Sequence, residues 1–358
     1  MRRPRREGVG GSCRRSTMAA VNLIGLDIGT VSIRAAETSN GKDGPAISNF
    51  GHILLPPGVV QNGAVQDEPA ATAALKQLWH TFKFRSRKVA LGVTHQQVVV
   101  RETTVANLPA KEMRKALPFQ VRDALPLPPE RSLIDFYPLE DAGSADTIRG
   151  LLIAAPKEPV LAAIRAVEAA KLHVVRVDLA SFALLRAASR LDEQVEALVD
   201  IGAHATSVVV HHDGEPLIVR TIPRGGNEIT KTVADRLDIP LQEAEELKCR
   251  VGLRPDADPA SASALKDSVR PLINEIGSSF AYLTAAGRQA RVSRLALSGG
   301  GSMLPGLLDA LHQQLGVEVI AVDPVMRVRG LRRVRQGSLD QVRASAAISV
   351  GLTLGADA

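Results

Sequence analysis

Short apolar blocks and alternating apolar positions open the chain. Leu23-Ile24-Gly25-Leu26, then Val31, Ile33 and Ala35, flank the turn Asp27-Ile28-Gly29-Thr30 and predict two strands of a hairpin. The pattern returns half a chain later. Ala197-Leu198-Val199-Asp200-Ile201-Gly202-Ala203 precedes alternating Thr206, Val208 and Val210, a turn at Asp213-Gly214 and a third strand over 217–222. Such a period is far beyond the roughly 20–50 residues of stacked repeats, so it predicts two related domains, each opening with a β-meander. Helical periodicity runs over 70–82, 160–170 and 182–191 in the first half. In the second it covers 228–237, 240–250, 268–287 and 303–315. Strands interleaved with helices predict an α/β fold.

Between 88 and 148 the rhythm changes. Val89-Ala90-Leu91, Val98-Val99-Val100 and Leu133-Ile134-Asp135-Phe136 read as strands around a helix over 109–125, which Pro118 should kink or stop. Leu125-Pro126-Leu127-Pro128-Pro129 reads as a rigid connector. The expected organisation is a leader over 1–20, a first domain over 21–87 and 149–192, an inserted α+β subdomain over 88–148, and a second domain over 193–358.

Composition narrows the function. The net charge is +6, and six arginines and one glutamate before Met18 account for nearly all of it. A near-neutral body with 3% aromatic residues gives no support for nucleic-acid binding, which needs clustered charge and stacking rings. The leader has no apolar run after its arginines and is not a secretory signal. It reads as an unstructured extension, with an electrostatic arm for an anionic surface as the alternative. Cys13 and Cys249 are the only cysteines, and their settings fit neither a disulfide framework nor a thiolate metal site. The apolar stretch 344–356 is shorter than the roughly 20 residues a membrane span requires.

Candidate chemistry lies at turns. In an Asp-x-Gly hairpin, glycine lets backbone N–H groups approach a polyphosphate while the carboxylate holds a hydrated Mg²⁺ beside it. Asp27 with Gly29, and Asp200 with Gly202, are two such turns that would grip one phosphate chain from both sides. Thr30, Ser32, Thr206 and Ser207 supply hydroxyls, with turn capping as the alternative role. Arg34 is read as a solvated strand position in preference to a phosphate or carboxylate partner. At Ser298-Gly299-Gly300-Gly301-Ser302, a strand enters a helix with Ser302 as the expected N-cap, where bare backbone meets an anion or a flat ring. Gly225-Gly226 and the helix carrying Glu245 and Lys248 at i,i+3 spacing complete the set. That pair reads alone as a surface ion pair. His211-His212-Asp213 reads as structural, because adjacent strand residues face opposite ways. Arg327, Arg329, Arg332, Arg333 and Arg335 read as a solvated or partner-facing loop.

In order, DIGT, DIGAHAT, GGNEIT to AEELK, and SGGGS resemble the actin-like ATPase superfamily, and within it the PilM family of type IV pilus assembly. Further stretches that carry the resemblance are FQVRDALPLPPERSLIDFYPLE from Phe119 and DLASFALLRA from Asp178. The resemblance implies two ribonuclease-H-like domains with ATP and Mg²⁺ between them. It assigns Asp27, Gly29, Thr30 and Ser32 to the first phosphate loop, and Asp200, Gly202, Ala203 and Thr206 to the second. Asp27 and Asp200 fall beside the metal, with Asp200 and Asp178 in catalytic positions and Asp178 where water is oriented. Gly226, Glu245, Lys248, Gly299, Gly300 and Ser302 fall on the adenosine side. The family often has lysine where this chain has Arg34. The implied partners are the N-terminal cytoplasmic peptide of a PilN-like membrane protein, docked beside the inserted subdomain, and other platform proteins; self-association is a further expectation. The implied place is the inner face of the cytoplasmic membrane. An FtsA-like division tether and a small-molecule kinase are the alternatives. Residues 348–356 lack the basic residues of a tether helix, and no convincing kinase base stands out.

Overall fold

In the computed structural model the described residues are 23–41, 44–140, 143, 145–254, 259–285, 290–328 and 343–355. The leader, and Arg329, Arg332, Arg333 and Arg335 of the second basic run, lie outside them.

Both expected meanders form. Strands β1 (Ile24–Ile28), β2 (Ser32–Gly41) and β3 (Gly44–Leu54) pair antiparallel, and β6 (Lys88–Val93) and β10 (His173–Leu179) add parallel to the other side of β1. A small hairpin, β4 (Val60–Gln61) with β5 (Ala64–Val65), lies between β3 and helix α1 (Glu68–Phe82). The second sheet repeats the plan: β11 (Val195–Ile201), β12 (Thr206–His212) and β13 (Glu215–Ile222) form the meander, and β14 (Arg294–Ser298) and β15 (Glu318–Ala321) extend it parallel. Spatial order is the same in each sheet. A third sheet, ordered β7 (Val99–Ala106), β9 (Thr147–Pro156), β8 (Ser132–Pro138), carries α2 (Ala110–Gln120) on one face.

Helices α1 and α3 (Lys157–Ala169) cover the outer face of the first sheet, where Leu75, Leu78, Ala166 and Val167 pack on Ile24, Leu26, Val89 and Leu91. In the second half α5 (Gly226–Leu237), α6 (Leu241–Arg250), α7 (Pro259–Ala285) and α8 (Leu307–Leu315) build the corresponding layer. Between the two sheets lie α4 (Ala180–Ala188) and the last helix, Ala347–Leu354. Ala183, Leu184, Ile348 and Leu352 share one core with Leu23 and Ala90 of the first sheet and Leu198, Val209 and Ala296 of the second. The lobes are joined by apolar packing as well as by the chain.

Small residues set this central layer's spacing. A Cβ at Gly351 would stand 1.8 Å from the Ala183 carbonyl oxygen, and one at Gly25 1.9 Å from that of Ser349. Backbone atoms on both sides leave no side chain to give way. Gly351→Ala is expected to destabilise the chain by about 3 kcal/mol, the upper range for overpacking. Denaturant unfolding would measure this, and an unchanged midpoint would contradict it.

The expected boundaries need correction. Lys88–Val93 belongs to the first sheet through its parallel register with β1, and Thr147–Pro156 is the central strand of the small sheet, so the insertion begins after β6 and ends at β9. The last helix packs on β1, β2, β6 and α4, so the second half of the chain returns to the first lobe. Its buried face makes it unavailable as a membrane tether. α2 continues through Pro118 to Gln120 and gives way to a 3₁₀ turn, Arg122–Ala124. The helix expected over 303–315 is interrupted: Pro305 and Gly306 separate a 3₁₀ turn, Gly300–Met303, from α8.

Candidate functional site

The two Asp-x-Gly turns close alike. Gly29 N–H donates to Ser32 O at 3.0 Å, and Gly202 N–H donates to Ala205 O at 2.9 Å. Each turn follows a central strand and enters the cleft between the lobes. The cleft encloses about 440 Å³ and is lined by both turns, by the start of α5, by Glu245 and Lys248 of α6, and by Gly299–Gly301. That volume suits a small organic ligand.

The second turn is tied to α5, since Gly226 N–H donates to Gly202 O at 2.9 Å and Asn227 N–H to Ala203 O at 2.8 Å. A Cβ at Gly225 would fall 2.4 Å from Gly202 O, so only glycine permits this approach. Gly299 adopts φ +87° against Ile201, whereas a Cβ on Gly300 would meet nothing within 4 Å. Gly300 therefore presents bare backbone to open cleft. Lys248 Nζ donates to Gly226 O at 3.1 Å and Thr230 Oγ1 at 2.8 Å, and pairs with Glu245 at 2.6 Å. Burial acts to raise the Glu245 pKa, but hydrogen bonds from Lys248 and Thr230 outweigh it and hold the carboxyl below its ordinary range. The expected i,i+3 pair is thus present, and it clamps α6 to α5.

Asp27 and Asp200 both line the cleft. Arg34 lies directly across β1–β2 from Asp27 and donates to it at 3.0 Å, so its expected role as a solvated strand position is replaced by a nearly buried ion pair. Burial still prevails at Asp27 and raises its pKa. At Asp200 burial pushes the pKa up to about 6, opposed by a hydrogen bond from Ser298 and reinforced by the charge of Asp27. Among the described lining residues the only cationic side chains, Arg34 and Lys248, are already committed to carboxylates. An oxygen-rich, carboxylate-bearing site short of countercharge suits a hard divalent cation. Asp27 and Asp200 are the side chains that would hold Mg²⁺. Among the described residues no three ligating side chains cluster.

Four expected site residues point elsewhere. Thr206 is buried and donates to Arg224 O at 2.8 Å, while Ser32 is buried within the hairpin. Ser302 donates to Gly299 O at 2.6 Å and caps no helix, because α8 begins beyond Gly306. None of the three lines the cleft. Asp178 also lies outside the lining: its carboxylate pairs with Arg186, with Arg176 at 3.9 Å, and these guanidiniums donate to the Gly351, Leu352 and Gly355 carbonyls. It secures the carbonyl end of the last helix, where cations are favoured.

Sequence reading missed a polar rim. Asn62, Gly63, Thr94, His95 and Gln96 line the cleft from the first lobe, and His204 and Asn227 from the second. Gln96 Nε2 crosses the lobes to His204 O at 3.1 Å. Burial lowers the pKa of His95 and His204, which favours their neutral forms. The Asn62-Gly63 turn was a visible hairpin signal. His211 and His212 behave as expected of neighbours on a strand: His211 is buried against Glu196, and His212 is exposed.

The family model of the type IV pilus assembly protein PilM matches residues 25–356. The chain belongs to the PilM family. This PilM-family chain is similar to a solved structure described as a PilM-PilN type IV pilus biogenesis complex, at 28% identity and a TM-score of 0.83 over 94% of this chain and 98% of that one. The cell division protein FtsA of Bacillus subtilis is 24% identical over 255 residues, 64% of this chain and 58% of that protein, so the match spans little more than half of it. FtsA of Streptococcus pneumoniae is 24% identical over 348 residues, 83% of this chain and 74% of the relative. MreB5 of Spiroplasma citri bound to ADP shares the fold at 12% identity and a TM-score of 0.52, covering 94% and 96% of the two chains. The expected actin-like fold and the type IV pilus assembly assignment hold. Among the described residues no helix is long and apolar enough to cross a membrane.

Proposed function

We propose that this PilM-family protein is a nucleotide-gated scaffold that takes Mg-ATP in the cleft and docks the N-terminal cytoplasmic peptide of a PilN-like membrane protein beside the small-sheet subdomain. The observation that carries the reading is the pair Asp27 and Asp200, set at one cleft on duplicated turns. Bound Mg²⁺ would neutralise the phosphates and orient them. Asp27 and Asp200 would provide oxygens, the turn residues Thr30, Ala203 and His204 would border the phosphate chain, and Gly300 leaves its backbone open for the nucleoside. Arg34 fixes the Asp27 carboxylate. Such a scaffold needs only that bound nucleotide shift a conformational equilibrium, so rapid turnover is not required. Hydrolysis is slow in this account, because the carboxylate expected to orient water, Asp178, is committed to Arg186 and Arg176. Docking to a membrane protein places the chain at the inner face of the cytoplasmic membrane.

Titration of the purified chain with Mg-ATP, followed by single-turnover hydrolysis, tests the reading. Binding is expected in the wild type and is lost in both Asp27→Ala and Asp200→Ala, with hydrolysis slow or absent. Unimpaired binding in both variants would place the nucleotide elsewhere, and turnover accelerated by a sugar or carboxylic acid would make the protein a kinase.

A further inference from the structure

We propose that the exposed face of α2 rests on an anionic lipid bilayer, holding the small-sheet subdomain against the membrane surface. α2 buries Leu117, with Met113 packed beside it, against Val105, Leu152 and Phe136 of the small sheet. At 100° per residue the opposite face carries Lys111, Lys115 and Phe119, with Arg114 at its edge and Arg122 following in the 3₁₀ turn; all five are exposed. Phe119 is 81% exposed, the most exposed of the large apolar side chains among the described residues, while Phe50 and Phe84 are buried.

Several cations elsewhere among the described residues are neutralised by carboxylates. Arg149, Arg165, Arg224, Arg236 and Arg294 each hold a carboxylate. Among the described residues, none of Lys111, Arg114, Lys115 or Arg122 has one within ion-pair distance, although they crowd one helix face. Glu112 shares this face on the other side of Phe119, and Asp123 lies beyond Arg122, so the four cations leave the face with a net positive charge.

Like charges left together without counterions fit an external anionic surface. The choice of lipid over an acidic protein rests on Phe119. A protein interface centres its aromatic anchors in an apolar, desolvated patch, whereas this ring stands among charged side chains, with Lys115 and Arg122 along one side. An aromatic ring at headgroup depth with Lys and Arg reaching to phosphates is the arrangement of an interfacial helix. Each cation near such a surface contributes about fivefold in affinity, so four of them and one ring give weak, salt-sensitive binding. It becomes effective when a docked membrane-protein peptide raises the local concentration. The surface adds an orientation to the scaffold and does not depend on nucleotide binding.

Co-sedimentation of the full chain with vesicles of phosphatidylglycerol and phosphatidylcholine, against phosphatidylcholine alone, tests the proposal. Binding is expected to the anionic vesicles only and to fall as salt rises. The Lys111→Glu/Lys115→Glu double variant should weaken it roughly 600-fold, since two attractions become two repulsions. Phe119→Ser should weaken it about tenfold. These sites are exposed, so thermal unfolding should match the wild type. Equal sedimentation of wild type and double variant would assign the binding to the arginines before Met18 and overturn the proposal. So would a wild type that ignores anionic vesicles; polyglutamate binding lost in the double variant would then assign the face to an acidic protein.

Discussion

Asp200→Asn is expected to raise the thermal stability of the nucleotide-free chain at neutral pH while weakening Mg-ATP binding by about 100-fold. The first effect follows from burial, which lifts the Asp200 pKa from 3.8 to about 6. The native state therefore holds a proton more tightly than the unfolded chain does. The stabilisation that this proton brings is complete below the unfolded value and is lost as pH rises through about 6. At neutral pH the wild type keeps a buried carboxylate ionised at a cost of about 1–3 kcal/mol, allowing for its partial exposure. Asparagine removes that cost. The second effect is the loss of a charged ligand, equivalent to about 3 kcal/mol. Unfolding midpoints measured without nucleotide across mildly acidic to neutral pH should fall for the wild type as pH rises, while Asp200→Asn should be flatter. Parallel curves would contradict this account of Asp200. A stability gain paired with lost binding is characteristic of a site strained for function.

The second large effect concerns the opposite end of the same strand. Arg294 Nε donates to Glu196 at 2.7 Å and its guanidinium holds Asp192 at 2.9 Å, with Glu196 fully buried. The other Glu196 oxygen lies 3.1 Å from both His211 Nε2 and the Arg190 N–H. His211 Nδ1 accepts from Gly214 N–H at 3.2 Å, so Nε2 carries the proton that Glu196 receives. Arg294→Ala leaves Glu196 buried with its guanidinium partner gone, and should cost about 3–5 kcal/mol in denaturant unfolding. Replacing the pair together, Glu196→Leu with Arg294→Met, should recover most of that loss. A double variant no more stable than the single one would show that the penalty lies in lost packing. Asp200 pairs with Ser298 four positions further along the same two strands, so Mg-ATP affinity should be unchanged in the double variant.

What the sequence made legible was local. An Asp-x-Gly turn flanked by alternating apolar residues encodes its hairpin within about ten positions, and both copies fold as read. The Glu245–Lys248 pair was equally visible, because i,i+3 spacing fixes proximity on a helix. Long-range register was hidden. Nothing near Lys88 announces that its strand lies parallel to Ile24–Leu26, which moves the boundary of the insertion. The Asp178 carboxylate meets Arg186 across the junction of β10 and α4, a pairing that no periodicity reveals. The cleft rim escaped because Gln96 and His204 are brought together only by closure of the lobes. Arg34 was misread for a related reason: its alternation looked solvated, but the neighbouring lobe encloses the strand end.

Coupling between the cleft and the docking surface is the centre of this account. It is tested most directly by measuring the affinity of the N-terminal peptide of the cognate PilN-like protein for the full chain with and without saturating Mg-ATP. The account predicts a shift of about fivefold or more, lost in Asp200→Ala, and linkage requires the peptide to change ATP affinity by the same factor. Identical peptide affinities in a chain that demonstrably binds Mg-ATP would contradict it.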